Sequence, residues 1–168
     1  MKKLFWLFLG VLIFASPSFA QDNFKADVSA GISYLREGSI NEFGPSFSVA
    51  GNLNSWFGIV GDFGYYHSNT AGQSFNTFTF LGGPRFSLHR NHRVSPFAQV
   101  LLGGAHVGVG EGGTFNSFTF TGGGGVDIRI THQIAVRPQL EFVGERSDGV
   151  TLNCARASVS LVYRFGQK

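Results

Sequence analysis

Past residue 20, hydrophobic and polar positions alternate with a period of two along almost the whole chain. That period belongs to strands, whose successive side chains point to opposite faces; a helix would repeat at three and four. "DVSAGISY" sets Val28, Ala30, Ile32 and Tyr34 against Asp27, Ser29, Gly31 and Ser33. "FSVAG" sets Phe47 and Val49 against Ser48 and Ala50, and "WFGIVGDFGYYH" sets Phe57, Ile59, Phe63 and Tyr65 against Gly58, Val60, Asp62 and Gly64. Phe78, Phe80, Phe86 and Leu88 then oppose Thr77, Thr79, Arg85 and Ser87. In "PFAQVLLGGAHV" the polar Gln99 assigns Ala98, Val100 and Leu102 to the apolar face, and Gly103-Gly104 is a candidate bulge.

Phe118, Phe120, Val126, Ile128 and Ile130 oppose Thr119, Thr121, Asp127 and Arg129. Val136, Leu140 and Phe142 oppose Arg137, Gln139 and Glu141, and Val159, Leu161, Tyr163 and Phe165 oppose Ser158, Ser160, Val162 and Arg164. This predicts about eight strands of roughly ten residues, separated by "EGSIN", "NLNS", "SNTAGQS", "HRNHR", "GEGGT", "THQ" and "RSDGV". "FNTFTFLGG" from Phe75 returns forty residues later as "FNSFTFTGG" from Phe115, as one hairpin unit used twice. With no helical pattern between them, such strands pair antiparallel in a barrel or sandwich. Pro45, Pro84, Pro96 and Pro138 each remove a ladder donor and are expected at a rim or a bulge.

Composition decides which face is outside. Only 14% of residues are charged, against about 25% in ordinary soluble domains. The apolar face is crowded with Phe, Leu, Ile and Val, whereas an eight-stranded barrel has an interior only just wide enough to fill with side chains. Gly, Ser, Thr and Ala suit that interior and make a poor wetted surface. The inferred fold is all-β: a closed antiparallel up-and-down transmembrane β-barrel. Phe57, Ile59, Phe63, Phe78, Phe80, Phe118, Phe120, Leu140, Phe142, Leu161, Tyr163 and Phe165 would face lipid, and aromatic residues near strand ends would form girdles. Asp27, Asp62, Arg85, Asp127, Arg129, Arg137, Glu141 and Arg164 fall on the inner face, where charges must pair. Asp127 is expected opposite Arg137 and, if the barrel closes, Asp27 near Arg164. A lumen filled this way leaves no large pore.

The first twenty residues read differently. Lys2 and Lys3 precede an apolar run from Leu4 to Ala15, and Ser18-Phe19-Ala20 offers small residues for cleavage. Residues 1–20 are therefore expected to be a signal peptide, with the barrel domain over 21–168. Without Lys2 and Lys3, the thirteen basic residues become eleven against ten acidic ones. Neither that balance nor the scatter of Lys and Arg suggests nucleic acid. Cys154 has no second cysteine to pair with.

"FGIVGDFGYYHS", "FTFLGGPRFSL", "SPFAQVLLGGAHV", "GGGVDIRI" and the closing "ASVSLVYRFG" together resemble the outer-membrane β-barrel domain family, of the small eight-stranded type. The closing strand carries alternating Val159, Leu161, Tyr163 and Phe165, although Gly166-Gln167-Lys168 extend beyond the aromatic residue. The resemblance implies residence in a bacterial outer membrane, both termini in the periplasm, contact with outer-membrane lipids and handling by the outer-membrane assembly machinery. Taken together, the chain is expected to be a monomer with a structural or surface-interaction role.

Candidate chemistry is sparse. His67 and Ser68 faintly resemble the pair of barrel lipid A deacylases, but adjacent strand residues face opposite ways. His89 and His92 read as a solvated basic turn, and His106 and His132 have no evident partner in the sequence. No catalytic residue, metal ligand or cofactor site is expected. Two alternatives stay open: a barrel enzyme acting on membrane lipid, and a soluble periplasmic, lipocalin-like binder.

Overall fold

The computed structural model describes residues 25–37, 40–70, 73–88, 93–109, 113–147 and 150–166. Eight strands follow one another: β1 Ala26–Glu37, β2 Ile40–Asn52, β3 Phe57–Thr70, β4 Gln73–Ser87, β5 Val94–Val109, β6 Gly113–Arg129, β7 Ile134–Ser147 and β8 Val150–Phe165. Each pairs antiparallel with its neighbours in sequence, and β8 closes on β1, so the barrel has no free edge. The expected signal peptide lies outside the described residues, as do His89, His92 and Glu111.

The strands are longer than the alternation suggested, at 12 to 17 residues. Much of "EGSIN", "SNTAGQS" and "RSDGV" continues the ladders instead of forming loops. Backbone pairing needs no apolar side chain once the wall leaves hydrocarbon, so a hydropathy break does not mark a strand end. The connections opposite the chain termini are correspondingly short: Glu37 and Ile40 are Cα partners, as are Thr70 and Gln73 and also Ser147 and Val150. Gly113 enters β6 with φ of 119°, in the left-handed region that glycine tolerates.

Register sets the barrel's geometry. Cα partners step from Val94 to Ile128, Val136, Leu161, Ala30, Phe47, Phe63 and Phe80, then back to β5 at Gly104. One circuit therefore climbs from residue 94 to residue 104 of the same strand, a stagger of ten residues over eight strands. Such a stagger inclines the strands by roughly 35–45° to the axis. Every residue on that path lies on the outer wall, exposed or half-exposed.

The register runs unbroken through Gly103-Gly104, so the expected bulge is not there. The prolines depart from expectation too. Pro45, Pro84 and Pro138 lie within strands, each beside a two-residue gap in the pairing with one neighbour. The register is the same on both sides of each gap. The missing donor thus costs a local ladder contact and nothing in alignment. Pro96 pairs with Val126 and its carbonyl accepts from the Leu88 amide at 2.8 Å.

The core is the lumen. Leu35, Tyr66, Val143 and Cys154 form an apolar layer toward the end opposite the termini, and Ala50, Val60, Leu81 and Leu101 line one wall lower down. Ser, Thr and charged side chains occupy much of the remaining interior. Outside, Ile59, Phe63, Phe78, Phe80, Phe118, Leu140, Phe142, Leu161, Tyr163 and Phe165 are exposed, and Phe57 and Phe120 half-exposed. Aromatic residues cluster at both ends of this band. Trp56 stacks on Phe86 with Phe57 beside them near the termini, and Tyr34 packs on Phe43 near the other end.

Candidate functional site

Two polar assemblies stand out, one inside the wall and one on it. The inner one is built from alternate positions of seven strands, as the period of two requires. Near the terminal end, the Arg137 guanidinium donates to both oxygens of Asp127, at 2.5 and 2.9 Å, and to Asp27 at 3.1 Å. Arg164 donates to Asp127 at 2.9 Å, and Arg85 pairs with Asp27 at 3.6 Å. The Arg85 and Arg137 guanidinium carbons lie 4.7 and 5.0 Å from the centre of the Phe97 ring. That ring occupies space above Gly125, where an added Cβ would stand 2.9 Å from it. A Cβ at Gly123, Gly124 or Gly125 would first meet the backbone carbonyl of a neighbouring strand, at 2.3, 2.2 and 2.4 Å, so these glycines permit close approach of the strands.

Further along the axis, Arg156 donates to Glu141 at 2.6 Å, to Asp62 at 2.7 Å and to the Tyr66 hydroxyl at 3.4 Å. Gln99 links the two groups, accepting from Arg85 and donating to Glu141, both at 2.8 Å. The result is one connected chain of four arginines and four carboxylates, all buried.

Of the eight inner-face residues read from the sequence, Asp27, Asp62, Arg85, Asp127, Arg137, Glu141 and Arg164 fall within this chain, and Arg129 is half-buried near the terminal end. Asp27 and Arg164 are Cα partners across the closure, but Asp27 bonds to Arg137 and Arg85 while Arg164 bonds to Asp127. Long side chains in a narrow lumen reach the next strand as readily as the facing one. Sequence reasoning missed Arg156, Tyr66 and Phe97, and it set Gln99 on the inner face without naming its partners. Arg156 continues the inner series of Ser158, Ser160, Val162 and Arg164 by one more step, so the signal was present.

The outer assembly is a polar collar just beyond the apolar band. It presents one outward-facing residue per strand: Arg36, Asn41, His67, Asn76, His106, Asn116, Arg146 and Asn153. Cross-strand bonds order part of it. Tyr34 donates to the Asn41 side-chain oxygen at 2.5 Å, and Tyr65 to that of Asn76 at 3.0 Å. His67 Nδ1 lies 2.8 Å from the same Asn76 oxygen, and His106 Nδ1 lies 2.7 Å from that of Asn116. An amide oxygen only accepts, so each Nδ1 carries the proton. Asn76 and Asn116 hold equivalent places in the repeated phrase, so the repeat carries a His–Asn pair as well as an apolar arm.

His67 therefore faces outward, tied to Asn76, while the side chain of Ser68 lies outside the described residues. His132 is exposed in the connection after β6. Among the described residues, no group of three or more His, Cys, Asp or Glu side chains is placed to hold a metal ion.

A closed eight-stranded antiparallel barrel with a polar, filled interior and an apolar outer band defines a membrane-spanning β-barrel. The chain belongs to the outer membrane protein β-barrel domain family, whose sequence profile it matches over residues 6–165. No curated protein sequence matches it. Solved structures do. Neisserial surface protein A is 14% identical with a TM-score of 0.69, covering 83% of this chain and 96% of that one. Ail, the attachment invasion locus protein of Yersinia pestis, is 18% identical with a TM-score of 0.60, covering 85% and 99%. The N-terminal β-barrel domain of Pseudomonas aeruginosa OprF is 13% identical with a TM-score of 0.60, covering 85% and 100%. At these identities the likeness is one of fold.

Proposed function

We propose that this protein resides in the bacterial outer membrane as a closed barrel with a structural or surface-contact role, and that it is not a pore. The observation that carries this reading is the lumen. Four arginines and four carboxylates bond across the interior, and the apolar layer of Leu35, Tyr66, Val143 and Cys154 lies beyond them. An ion would have to break several charge-assisted bonds in a confined, weakly polar space to pass. Residence in the membrane is supported by the exposed Phe-rich band, which in water would be an aggregation hazard.

Contact at the surface would come from the barrel rim and collar, because at least three of the connections at that end are tight. Ail is named for attachment and invasion, and that role is a property of Ail. Planar-bilayer recording tests the reading: purified barrel should insert and show no steady conductance of porin size. Stable large openings would overturn the closed lumen. Recovery of the native protein from cells without detergent, as a monodisperse soluble species, would overturn membrane residence. The lipid-hydrolase alternative gains nothing from His67, whose imidazole faces outward onto Asn76.

A further inference from the structure

Pro138 leaves a gap in the wall's hydrogen bonding, and the gap borders a groove. β6 and β7 pair without interruption from Phe118↔Arg146 to Gly125↔Gln139 and resume at Ile128↔Val136. The register places Val126 opposite Pro138 and Asp127 opposite Arg137, the two pairs that do not form. In an antiparallel ladder one bond serves both, from the amide of residue 138 to the carbonyl of Val126. Proline has no amide hydrogen to give. Pairing with β8 continues through Pro138, so the proline nitrogen faces β6. The Val126 carbonyl is left without its ladder donor. Within an apolar band water cannot supply one, and a stranded carbonyl is costly.

The groove crosses the outer wall from Val126 and Pro138, past Leu140 and Ala157, to Ile32 and Tyr34, and encloses about 530 Å³. That volume falls within the roughly 300–1,000 Å³ typical of small-molecule sites. Ala157 makes the depression: it is the Cα partner of both Tyr34 and Leu140 and is far shorter than either. The outward side chains along it are apolar except for Tyr34, whose hydroxyl already donates to Asn41. A water at the carbonyl would find too few partners to be held. A plain hydrocarbon chain would fill the groove and leave the carbonyl stranded. An acyl chain bearing a hydroxyl fills the one and satisfies the other. Arg129 ends β6 three residues beyond Val126, which sets that hydroxyl near the polar end of the chain.

We propose that this groove binds one hydroxylated acyl chain, its methylenes over Ala157 and its hydroxyl donating to the Val126 carbonyl. The inference rests on the membrane residence proposed above.

Native mass spectrometry of the barrel released from nonionic detergent tests it, with β-hydroxypalmitic acid, β-methoxypalmitic acid and palmitic acid as probes. The hydroxy acid should be retained about tenfold more strongly than the other two, neither of which can donate to the carbonyl. Pro138→Ala supplies the missing amide and should abolish that preference. Pro84→Ala repairs a gap outside the groove and should leave it intact. Ala157→Phe, which fills the groove, should weaken retention of all three acids; Ala157→Leu serves if the larger side chain impairs folding, which heat-modifiable gel mobility reports. Equal retention of the three acids, a preference that survives Pro138→Ala or vanishes with Pro84→Ala, or retention undiminished by a filled groove would each overturn the site. A barrel that inserts in membranes yet retains no acid selectively overturns this inference alone. A barrel that never needs detergent overturns the membrane reading beneath it.

Discussion

The two ends of the inner charge chain are built on different plans. Toward the termini, Asp27 and Asp127 share three arginines, and every carboxylate there has at least two cationic neighbours. Toward the other end, a single arginine, Arg156, serves both Asp62 and Glu141. The first group tolerates the loss of a member, because another cation remains beside each acid. The second does not, because removing one residue leaves two acids uncompensated. Burial makes that difference large, since an unpaired interior charge costs far more than a pair contributes.

The largest expected effect is therefore Arg156→Met. It should destabilise the barrel by about 3–5 kcal/mol in urea unfolding from phospholipid vesicles. Adding Asp62→Asn and Glu141→Gln should recover much of the loss; if the triple variant is no better than the single one, the cost lies in packing rather than charge. Arg164→Met comes next, at roughly 1.5–3 kcal/mol, because Asp127 keeps Arg137. Equal losses for Arg164→Met and Arg156→Met would erase the contrast between the two ends. Phe97→Leu should be mildest, at about 0.5–2 kcal/mol, as it removes the ring beneath two guanidiniums while leaving every ion pair. A larger loss there would mean that the ring, not the carboxylates, sets the positions of Arg85 and Arg137.

Much of this architecture was legible in the alternation. A period of two assigns each residue to a face without knowledge of its partners, and the volume of phenylalanine against glycine then says which face is outside. The pairing of Arg137 with Asp127 followed from their places on strands joined by a short turn. What could not be read was anything depending on stagger. The climb from Val94 to Gly104 decides which side chains meet across the lumen, and no local pattern encodes it. The bonds of Asp27 to Arg137 and Arg85 are of that kind. Arg156 was hidden for another reason: the polar "TLN" and the small residues around Cys154 interrupt the alternation, although the backbone is already β8 from Val150 onward. The prolines misled in the opposite sense, because gaps on one side of a strand leave no trace in hydropathy.

Gln99 has a consequence beyond bridging. Below it the buried groups sum to two acids and three bases, and above it to two acids and one base. The axis is thus polarised, positive toward the termini and negative toward the opposite rim. If the lumen is closed as proposed, a wandering cation would meet repulsion at one layer and an anion at the other, so the field would oppose both signs in addition to the lack of room.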